Sequence, residues 1–219
     1  MPPPLAIIFD LDGTLIDSIP YHQTAWLQFL RNNGIHISKD ELHVQNHGTA
    51  HEMIERFFGK TISKEKQEQL CFEKEQLFRD NYRPHICEID GVTAFLQGLK
   101  EQQRKIALAT MGNQLNIDFS LDTLNLRPFF DCTSGGDEVK KGKPDPEIFQ
   151  LTLHKLQLHP SDALVFEDSS GGVKAAQSAG MKVVGITTTL TREELMDIGC
   201  IHTINDFKNF NLSQLPNLH

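Results

Sequence analysis

The sequence predicts an α/β fold, with a Rossmann-like parallel sheet covered by helices on both faces and a helical bundle inserted into it. Two observations lead to this prediction. Short apolar runs, which are typical of strands buried on both faces, alternate with helical patterns through the second half of the chain. Between the first apolar run and the others, residues 18–86 contain helical patterns and no convincing strand.

The first predicted element is a strand at 7–9, and a group of helices follows it. Apolar residues recur at helical spacing in three sets, which are Ala25, Trp26, Phe29 and Leu30; Met53, Ile54, Phe57 and Phe58; and Leu70, Leu77 and Phe78. Gly34 is predicted to end the first of these helices. We therefore expect a helical domain of residues 18–86, inserted after the first strand of a core domain made of residues 1–17 and 87–219.

After residue 86, helices and strands alternate. Strands are predicted at 105–110, 130–133, 163–166, 182–186 and, at an edge of the sheet, 201–204. Two helices are predicted from apolar residues at helical spacing, which are Val92, Phe95, Leu96 and Leu99 for the first and Ile117, Leu121 and Leu124 for the second. Three more are predicted from the signals at their ends, which are Asp145 as N-cap before Pro146, Gly180 after the helix at 173–179, and the capping box of Thr191 and Glu194. Ligands bind beyond the carboxyl ends of the strands in such sheets, so the helical domain would cover that crevice as a cap.

Composition and charge exclude several classes of protein. The chain has 219 residues, 39% of them hydrophobic, which suits one sizeable core and a smaller second module. A formal net charge of −8 argues against a nucleic-acid-binding surface. No apolar run approaches the roughly 20 residues of a membrane span, and the Met-Pro-Pro-Pro start lacks the basic region of a signal peptide. We expect a cytoplasmic protein, monomeric by default, that binds neither membrane nor nucleic acid.

The cysteines carry no chemistry that the sequence can identify. The four of them are Cys71, Cys87, Cys132 and Cys200, and no two form a CxxC pair. They therefore predict neither a zinc site nor a disulfide framework, and we expect reduced side chains that pack in the core.

Polar residues follow the predicted strands at the points where they end. Asp10 and Asp12 come after the first strand, and their carboxylates project together if the strand continues through them. If the strand stops earlier, the turn at Gly13 decides where Asp12 points. Thr110 follows the second strand. Two carboxylates side by side are costly to bury unless a cation, a proton or hydrogen-bond donors compensate for their charge.

Further polar residues converge on the same edge of the predicted sheet. Glu167 and Asp168 follow the strand at 163–166, and Lys143 lies at the entry to a helix. Carboxylates suit Mg²⁺, which keeps waters and substrate phosphate among its ligands. A lysine and a hydroxyl would hold the phosphoryl oxygens while one carboxylate attacks phosphorus and another moves the proton of the leaving oxygen. Each feature alone is also common as a turn or capping residue.

Together, these motifs resemble the haloacid dehalogenase superfamily of aspartate-nucleophile phosphohydrolases. The run from Asp10 to Ser18 resembles the nucleophile motif, Thr110 the phosphate-binding hydroxyl, Lys143 the charge-balancing lysine, and Glu167-Asp168-Ser169 the second metal carboxylate group. The resemblance spans essentially the whole chain. The place of the helical insert is similar to subfamily I members with a helical C1 cap, which include β-phosphoglucomutase and small sugar-phosphate phosphatases.

The resemblance implies a role for each of these residues. Asp10 would be the nucleophile and a ligand of Mg²⁺, and Asp12 the general acid and base, with its backbone carbonyl on the metal. Asp168 would complete the protein ligands, with Glu167 close by or acting through water. Thr110 and Lys143 would hold the transferred phosphoryl group. Closure of the cap would exclude bulk water and shape the pocket for the leaving group.

Other residues bear on the substrate. His22 resembles a histidine that lies near the acid and base in the hexose-phosphate branch of the family. The mutase branch tends to carry a cap arginine that grips a second phosphate, and this chain has His51 at about that position, with Arg56 one turn later. Asn113 belongs to a run after Thr110 that differs from the mutase sequence, and we include it with His22 and His51 among the predicted substrate contacts.

These differences favour a Mg²⁺-dependent phosphatase that acts on a small phosphorylated metabolite, a sugar or polyol phosphate, through an aspartyl-phosphate. One alternative is a mutase of the β-phosphoglucomutase type, which would move phosphate between two hydroxyls through the same Asp10. A second alternative is a non-catalytic phosphate-binding module, although no member of the motif set is missing. A dehalogenase is disfavoured, because Asp12 and a metal have no role in that chemistry.

Overall fold

The computed structural model describes residues 4–215 and contains one parallel sheet. Its strands are β1 (Ala6–Phe9), β2 (Lys105–Ala109), β3 (Cys132–Ser134), β4 (Ala163–Glu167), β5 (Lys182–Ile186) and β6 (His202–Ile204). They lie in the order β3-β2-β1-β4-β5-β6, and every neighbouring pair is parallel. The predicted α/β class is confirmed, and β6 is the edge strand that the sequence predicts. Met1–Pro3, from which we argued against a signal peptide, lies outside the described residues.

Strand β1 is the centre of the sheet and is buried on both faces. Its register places Phe9 beside Leu108 of β2 and beside Phe166 of β4. Successive side chains of a strand point to opposite faces. Accordingly, Ile7 and Phe9 belong to one apolar cluster and Ala6 and Ile8 to another. The two clusters explain why the strand sequences are continuously apolar.

Between β1 and β2, the chain forms a helical segment that we call the insert, residues 19–85. It contains α1 (Ile19–Asn32), α2 (Lys39–Gln45), α3 (Ala50–Phe58) and α4 (Lys64–Tyr82). The insert has its own apolar core, which consists of Trp26, Phe29, Leu30, Leu42, Met53, Ile54, Leu70 and Cys71. The sequence did not indicate α2, because Leu42 is its single buried residue and a capping box of Ser38 and Glu41 starts it instead. Within residues 4–215, no helix has the length and apolar character needed to cross a membrane.

Within residues 4–215, five helices from outside the insert cover the sheet. They are α5 (Val92–Glu101), α6 (Gln114–Thr123), α7 (Glu147–Leu156), α8 (Ser170–Ser178) and α9 (Arg192–Asp197). The capping box predicted for Thr191 and Glu194 is present at the start of α9. Helix α7 begins at Glu147, one residue later than predicted, but Asp145 still accepts a hydrogen bond from the Glu147 N–H at 3.1 Å.

Candidate active site

A cleft of about 630 Å³ separates the carboxyl ends of the strands from the insert. The part of the chain outside the insert, which we call the core, lines the cleft with Asp10, Asp12, Thr110, Met111, Gly112, Lys143, Pro144, residues 167–171, Lys174, Thr189 and Leu190. The insert contributes Ile19, His22, Gln23, Trp26, residues 42–44, residues 46–50, Met53, Lys74 and Glu75. The cleft thus lies at the edge of the sheet where ligands bind in open α/β folds.

The turn after β1 determines where the two aspartates lie. The strand ends at Phe9, before both of them, and the Asp10 N–H donates to the carbonyl of Phe166 at 3.0 Å. Gly13 follows with a φ of +77°, in the left-handed region that favours glycine. An ideal Cβ on Gly13 would lie 2.2 Å from Oδ2 of Asp168. Glycine therefore allows the turn to approach a carboxylate that a larger residue would displace.

Lys143 is buried among carboxylates at the floor of the cleft. Its ammonium donates to Oδ1 of Asp10 at 2.6 Å, to Oε1 of Glu167 at 2.6 Å and to the carbonyl of Ala109 at 3.1 Å. These contacts use its three donors. Burial acts to lower the pKa of Lys143, but the charges of Asp10 and Glu167 outweigh burial and raise that pKa above its ordinary value. The lysine is therefore a permanent positive charge.

Asp10 lies within hydrogen-bond distance of the Lys143 ammonium, but this one cation does not offset the burial of its carboxylate. Burial raises the pKa of Asp10 well above its ordinary value of 3.8, and the neighbouring carboxylates raise it further, although Lys143 opposes them. Lys143 contacts only Oδ1, and no donor among residues 4–215 contacts Oδ2. The second oxygen of Asp10 is therefore the one free to react.

Threonine hydroxyls from two loops hold Asp168. Oδ1 accepts from Thr14 at 3.3 Å, and Oδ2 accepts from Thr189. Thr188, the neighbour of Thr189, donates to the carbonyl of Gly13. Burial, followed by the charge of Glu167, raises the pKa of Asp168 to about 7. The side chain is fixed in place but lacks a full counter-charge.

Thr110 presents its hydroxyl at the end of β2. The side chain is buried, and its oxygen accepts a hydrogen bond from the Gly112 N–H at 3.0 Å. This bond leaves the O–H proton of Thr110 available to donate to another group. The Thr110 N–H donates to the carbonyl of Ser134, so the backbone at this position is held by β3.

Asp12 is held by Ser18, which is the N-cap of α1, and by His22 in the first turn of that helix. Its Oδ1 accepts from the Ser18 hydroxyl at 2.6 Å and contacts Nε2 of His22 at 3.0 Å. The other ring nitrogen of His22 contacts the ammonium of Lys74 at 3.1 Å, and an ammonium can only donate. Nδ1 of His22 is therefore an acceptor, which leaves its proton on Nε2, facing Asp12. Burial acts to raise the pKa of Asp12, but its contacts with His22 and Ser18 outweigh burial and lower that pKa.

The donor set of the cleft fits a divalent cation in part. Asp10 and Asp168 are buried carboxylates without a full counter-charge, and the negative charge of each would stabilise a cation bound beside it. Glu167 differs, because Oε1 accepts from Lys143 and Oε2 accepts from Ser169 and the Asp168 N–H. No group of three His, Cys, Asp or Glu side chains within residues 4–215 is arranged to hold a metal ion. Asp10 and Asp168 could supply the one or two protein carboxylates that a metal such as Mg²⁺ takes when waters complete its ligands.

Two of the predicted substrate contacts, His51 and Asn113, are not among the residues that line the cleft. His51 forms an ion pair with Glu68 of α4 at 3.2 Å and does not line the cleft, because α3 turns this side chain toward α4. Asn113 is the N-cap of α6, where its side chain accepts from the Asn116 N–H at 3.0 Å. By contrast, His22 lines the cleft, and its contact with substrate stays a prediction.

Arg56 also has a different role from the one that its position in the sequence suggested. Its guanidinium donates to the carbonyls of Gln45 at 2.6 Å and of His47 at 3.1 Å. Gln45 is the last residue of α2, and His47 belongs to the segment between α2 and α3, which lines the cleft. Arg56 therefore fixes the shape of this segment and does not present its charge to the cleft.

Sequence reasoning missed several residues that support the site. Lys74, Glu75 and Asn116 are buried polar residues that connect the insert to the core, and Thr188 and Thr189 hold the turn and Asp168. The sequence does contain one signal that Lys74 and Glu75 of α4 are buried. Lys74 and Glu75 follow Cys71 by one helical turn, so the apolar stripe of this helix continues through two charges.

Comparison with known proteins gives a consistent result. The family model of the haloacid dehalogenase-like hydrolases matches residues 7–186. A phosphorylated carbohydrates phosphatase from Thermotoga maritima is 33% identical over 208 residues, which cover 93% of this chain and 88% of that protein.

Solved structures share the whole architecture. A haloacid dehalogenase hydrolase of family IA, variant 3, from Entamoeba histolytica superimposes with a TM-score of 0.86 and 32% identity, covering 97% of this chain and 98% of that one. A β-phosphoglucomutase from Clostridium difficile superimposes with a TM-score of 0.82 over 95% of this chain and 94% of its own. At 24% identity, the second likeness concerns the fold alone.

Proposed function

The chain belongs to the haloacid dehalogenase-like hydrolases, and from this premise we propose that it hydrolyses the phosphate monoester of a small sugar or polyol with Mg²⁺ as cofactor. The enzyme class is that of the phosphoric monoester hydrolases. The similar protein from Thermotoga maritima is a phosphatase of phosphorylated carbohydrates, and this supports the substrate class. A cytoplasmic location and a monomeric state stay predictions.

One observation carries the proposal. Lys143 holds a single oxygen of Asp10, and no donor within residues 4–215 contacts the other oxygen, at the floor of the cleft. In the proposed first step, the lone pair of this oxygen attacks phosphorus, the bond from phosphorus to the ester oxygen breaks, and an aspartyl-phosphate forms on Asp10. Lys143 stabilises the charge on the transferred oxygens through its own positive charge, since its three protons are already bonded, and Thr110 can donate its unused hydroxyl proton to one of these oxygens.

Asp12 is the proposed acid and base of both steps. In the first step, Asp12 must carry a proton, which the lowered pKa of its carboxyl group makes the less populated state, and it donates this proton to the ester oxygen as the alcohol leaves. In the second step, it accepts a proton from a water molecule, which attacks phosphorus, and the bond between phosphorus and Asp10 breaks to release inorganic phosphate. The contacts of Ser18 and His22 with Oδ1 fix the orientation of the carboxyl group for these transfers.

Asp10 and Asp168 are the proposed side-chain ligands of Mg²⁺, together with the backbone carbonyl of Asp12. When bound, the ion would neutralise phosphoryl charge and lower the repulsion between substrate and Asp10. Glu167 is committed to Lys143 and the following backbone, so we assign it the role of positioning that lysine. Thr14 and Thr189 orient Asp168 toward the same region.

The wall contributed by the insert supports a phosphatase over a mutase. A mutase that holds a bisphosphate needs a cation for the phosphate remote from Asp10. Among the described residues, no arginine lines the cleft, and Lys74 is the only lysine of the insert that does. Lys74 is bound to His22 and Glu75, and Arg56 is bound to backbone carbonyls. The wall suits an uncharged leaving group that carries hydroxyls.

We further propose that residues 18–86 act as a cap domain over a core of residues 1–17 and 87–219. Contacts across the cleft support this. Oε2 of Glu52, in the insert, accepts from the N–H of Gly142 at 3.1 Å, directly before Lys143. The insert is therefore in contact with the loop that carries the catalytic lysine, as closure of a cap requires.

Release of inorganic phosphate from a panel of phosphorylated metabolites tests the function. The panel contains hexose, pentose and polyol monophosphates together with nucleotides, and each is assayed with Mg²⁺ and with a chelator. We expect hydrolysis of a sugar or polyol monophosphate that stops when Mg²⁺ is removed. Full activity in the chelator would refute the metal requirement, and inactivity on the whole panel with Mg²⁺ would favour the non-catalytic module.

The mutase alternative requires a separate assay. The enzyme is given β-glucose 1-phosphate with a trace of the 1,6-bisphosphate, and glucose 6-phosphate and free phosphate are followed together. We expect free phosphate to appear at least as fast as glucose 6-phosphate. Faster formation of glucose 6-phosphate would identify a mutase.

A further inference from the structure

The buried face of α4 carries charged side chains where apolar ones would be expected. Lys74, Glu75 and Arg79 are each at most 5% exposed, and they alternate with the apolar residues Phe78 and Tyr82 on that face. Charges are costly to bury, and replacing a buried ionic group by apolar residues is often neutral or stabilising. The packing of the insert therefore does not account for these residues.

Each of the charges has a defined partner, and one partner lies in the core. Oε1 of Glu75 accepts from Lys74 at 2.8 Å, and Oε2 accepts from Nδ2 of Asn116 at 2.7 Å. Oδ1 of Asn116 accepts from Arg79 at 2.7 Å. Asn116 is 1% exposed and belongs to α6, so its amide joins an anion and a cation of the insert to the core domain.

The two ends of this network lie at functional positions. At one end, Lys74 contacts His22, which contacts Asp12. At the other end, Asn116 lies in the first turn of α6, close to the segment that begins with Thr110: an ideal Cβ on Gly112 would lie 3.4 Å from the Thr110 hydroxyl and 3.5 Å from Cβ of Asn116. The network therefore runs from the acid–base side chain, through the insert, to the proposed phosphate-binding segment.

We propose that Glu75 and Asn116 are positioning residues for the acid–base step of Asp12. Asn116 holds Glu75 only when α4 lies against α6, Glu75 then holds the ammonium of Lys74, and Lys74 keeps Nδ1 of His22 as an acceptor. The Nε2–H of His22 is thereby directed at Asp12. Proton transfer by Asp12 is thus coupled to the contact between insert and core, and this inference rests on the proposed phosphatase function.

The chemistry of Glu75 makes the proposal sensitive to a small change. A carboxylate accepts on both oxygens, and both are used here. In Glu75→Gln, one of the two positions becomes an NH₂ group, which would face either the ammonium of Lys74 or the NH₂ group of Asn116. In either orientation of the amide, two donor groups would face each other. The variant therefore keeps the shape of the side chain but loses one hydrogen bond of the network.

The test compares two leaving groups. The values of kcat/KM are measured with Mg²⁺ for 4-nitrophenyl phosphate, whose leaving group departs without a proton, and for an alkyl phosphate, which needs one. The alkyl phosphate is glycerol 1-phosphate or the best sugar phosphate of the panel. In Glu75→Gln and Asn116→Leu, we expect the alkyl to aryl ratio of kcat/KM to fall roughly tenfold, which is part of the 10²–10⁴ that general acid catalysis contributes.

Glu73→Gln is the matched control. It makes the same chemical change on the same helix, but Glu73 is exposed, so the ratio is expected to stay at the wild-type value. Partial unfolding of a variant lowers both kcat/KM values equally and leaves their ratio unchanged. A wild-type ratio in both test variants, or a fall as large in the control, would overturn the inference and leave the phosphatase function intact. A wild-type enzyme that hydrolyses neither substrate would instead refute the proposed function.

Discussion

The two walls of the cleft differ in how their charges are used. On the core wall, Asp10 and Asp168 lie beside strand ends, and burial leaves their carboxylates without a full counter-charge. In the insert, Lys74 on the wall and Arg56 outside the lining use their charges on carbonyls, a histidine and a carboxylate of the protein itself. The core wall is therefore suited to reaction with a phosphoryl group, and the insert wall to recognition of an uncharged leaving group.

The largest expected effect comes from the core wall. Asp10→Asn removes the attacking oxygen and should lower the rate of phosphate release by roughly 10³-fold or more on every substrate. The fold should survive, since burial already disfavours the charge of Asp10. Phosphate release and circular dichroism of the purified variant measure the two effects. Retained turnover in a folded variant would remove Asp10 from the mechanism.

Gly142→Ala tests whether the two walls must meet. Gly142 does not have a left-handed φ, so its own backbone accepts alanine, but an ideal Cβ would lie 2.3 Å from the carbonyl carbon of Gly48 in the insert. The substitution should displace the insert from the loop that carries Lys143 and lower kcat/KM by roughly 10²-fold, with little change in Tm.

Gly98→Ala is the control for this prediction, because an added Cβ there would meet no atom within 4 Å. Its kinetics should match those of the wild type. Wild-type kcat/KM in Gly142→Ala would contradict the proposed closure contact between the insert and the core.

Arg56→Met tests whether the insert wall recognises a second phosphate. We expect KM to rise by about three- to tenfold, because charged hydrogen bonds to the carbonyls of Gln45 and His47 are lost. The rise should be similar for sugar monophosphates and bisphosphates. Steady-state kinetics on a matched mono- and bisphosphate pair measure it, and a selective loss of the bisphosphate would show that Arg56 grips phosphate after all.

His51→Ala should have the smallest effect. The side chain is exposed, and its ion pair with Glu68 contributes little. We expect kcat/KM to change by less than about twofold with any sugar phosphate of the panel. A larger change would return His51 to the substrate site and would require α3 to rotate during closure.

The contrast between the walls also explains how far sequence could predict the structure. The strands were predicted because strands buried on both faces are continuously apolar, as 163–166 is. Asp10, Thr110 and Asp168 come together because parallel strands end at one edge of a sheet. For these residues, the apolar pattern of the strands and the rule that parallel strands end at one edge of a sheet were enough to predict that the side chains lie together.

The insert wall could not be predicted in the same way. The positions of His51 and Arg56 depend on which face of α3 packs against its neighbours, and two adjacent turns of a helix offer both choices. Glu75 depends on Asn116, which lies 41 residues away in the sequence and on another domain of the proposed division. A single sequence contains no signal for such a pairing, although charges on an apolar stripe mark α4 as a helix with buried polar partners.

The central claim is that the free oxygen of Asp10 becomes phosphorylated. Enzyme quenched during turnover can be reduced with borohydride, which converts an aspartyl-phosphate to homoserine, and then digested and analysed by mass spectrometry. We expect homoserine at position 10, with none in enzyme quenched without substrate. An unmodified Asp10 in enzyme that is turning over, with homoserine formed at Asp12 or Asp168 instead, would contradict it.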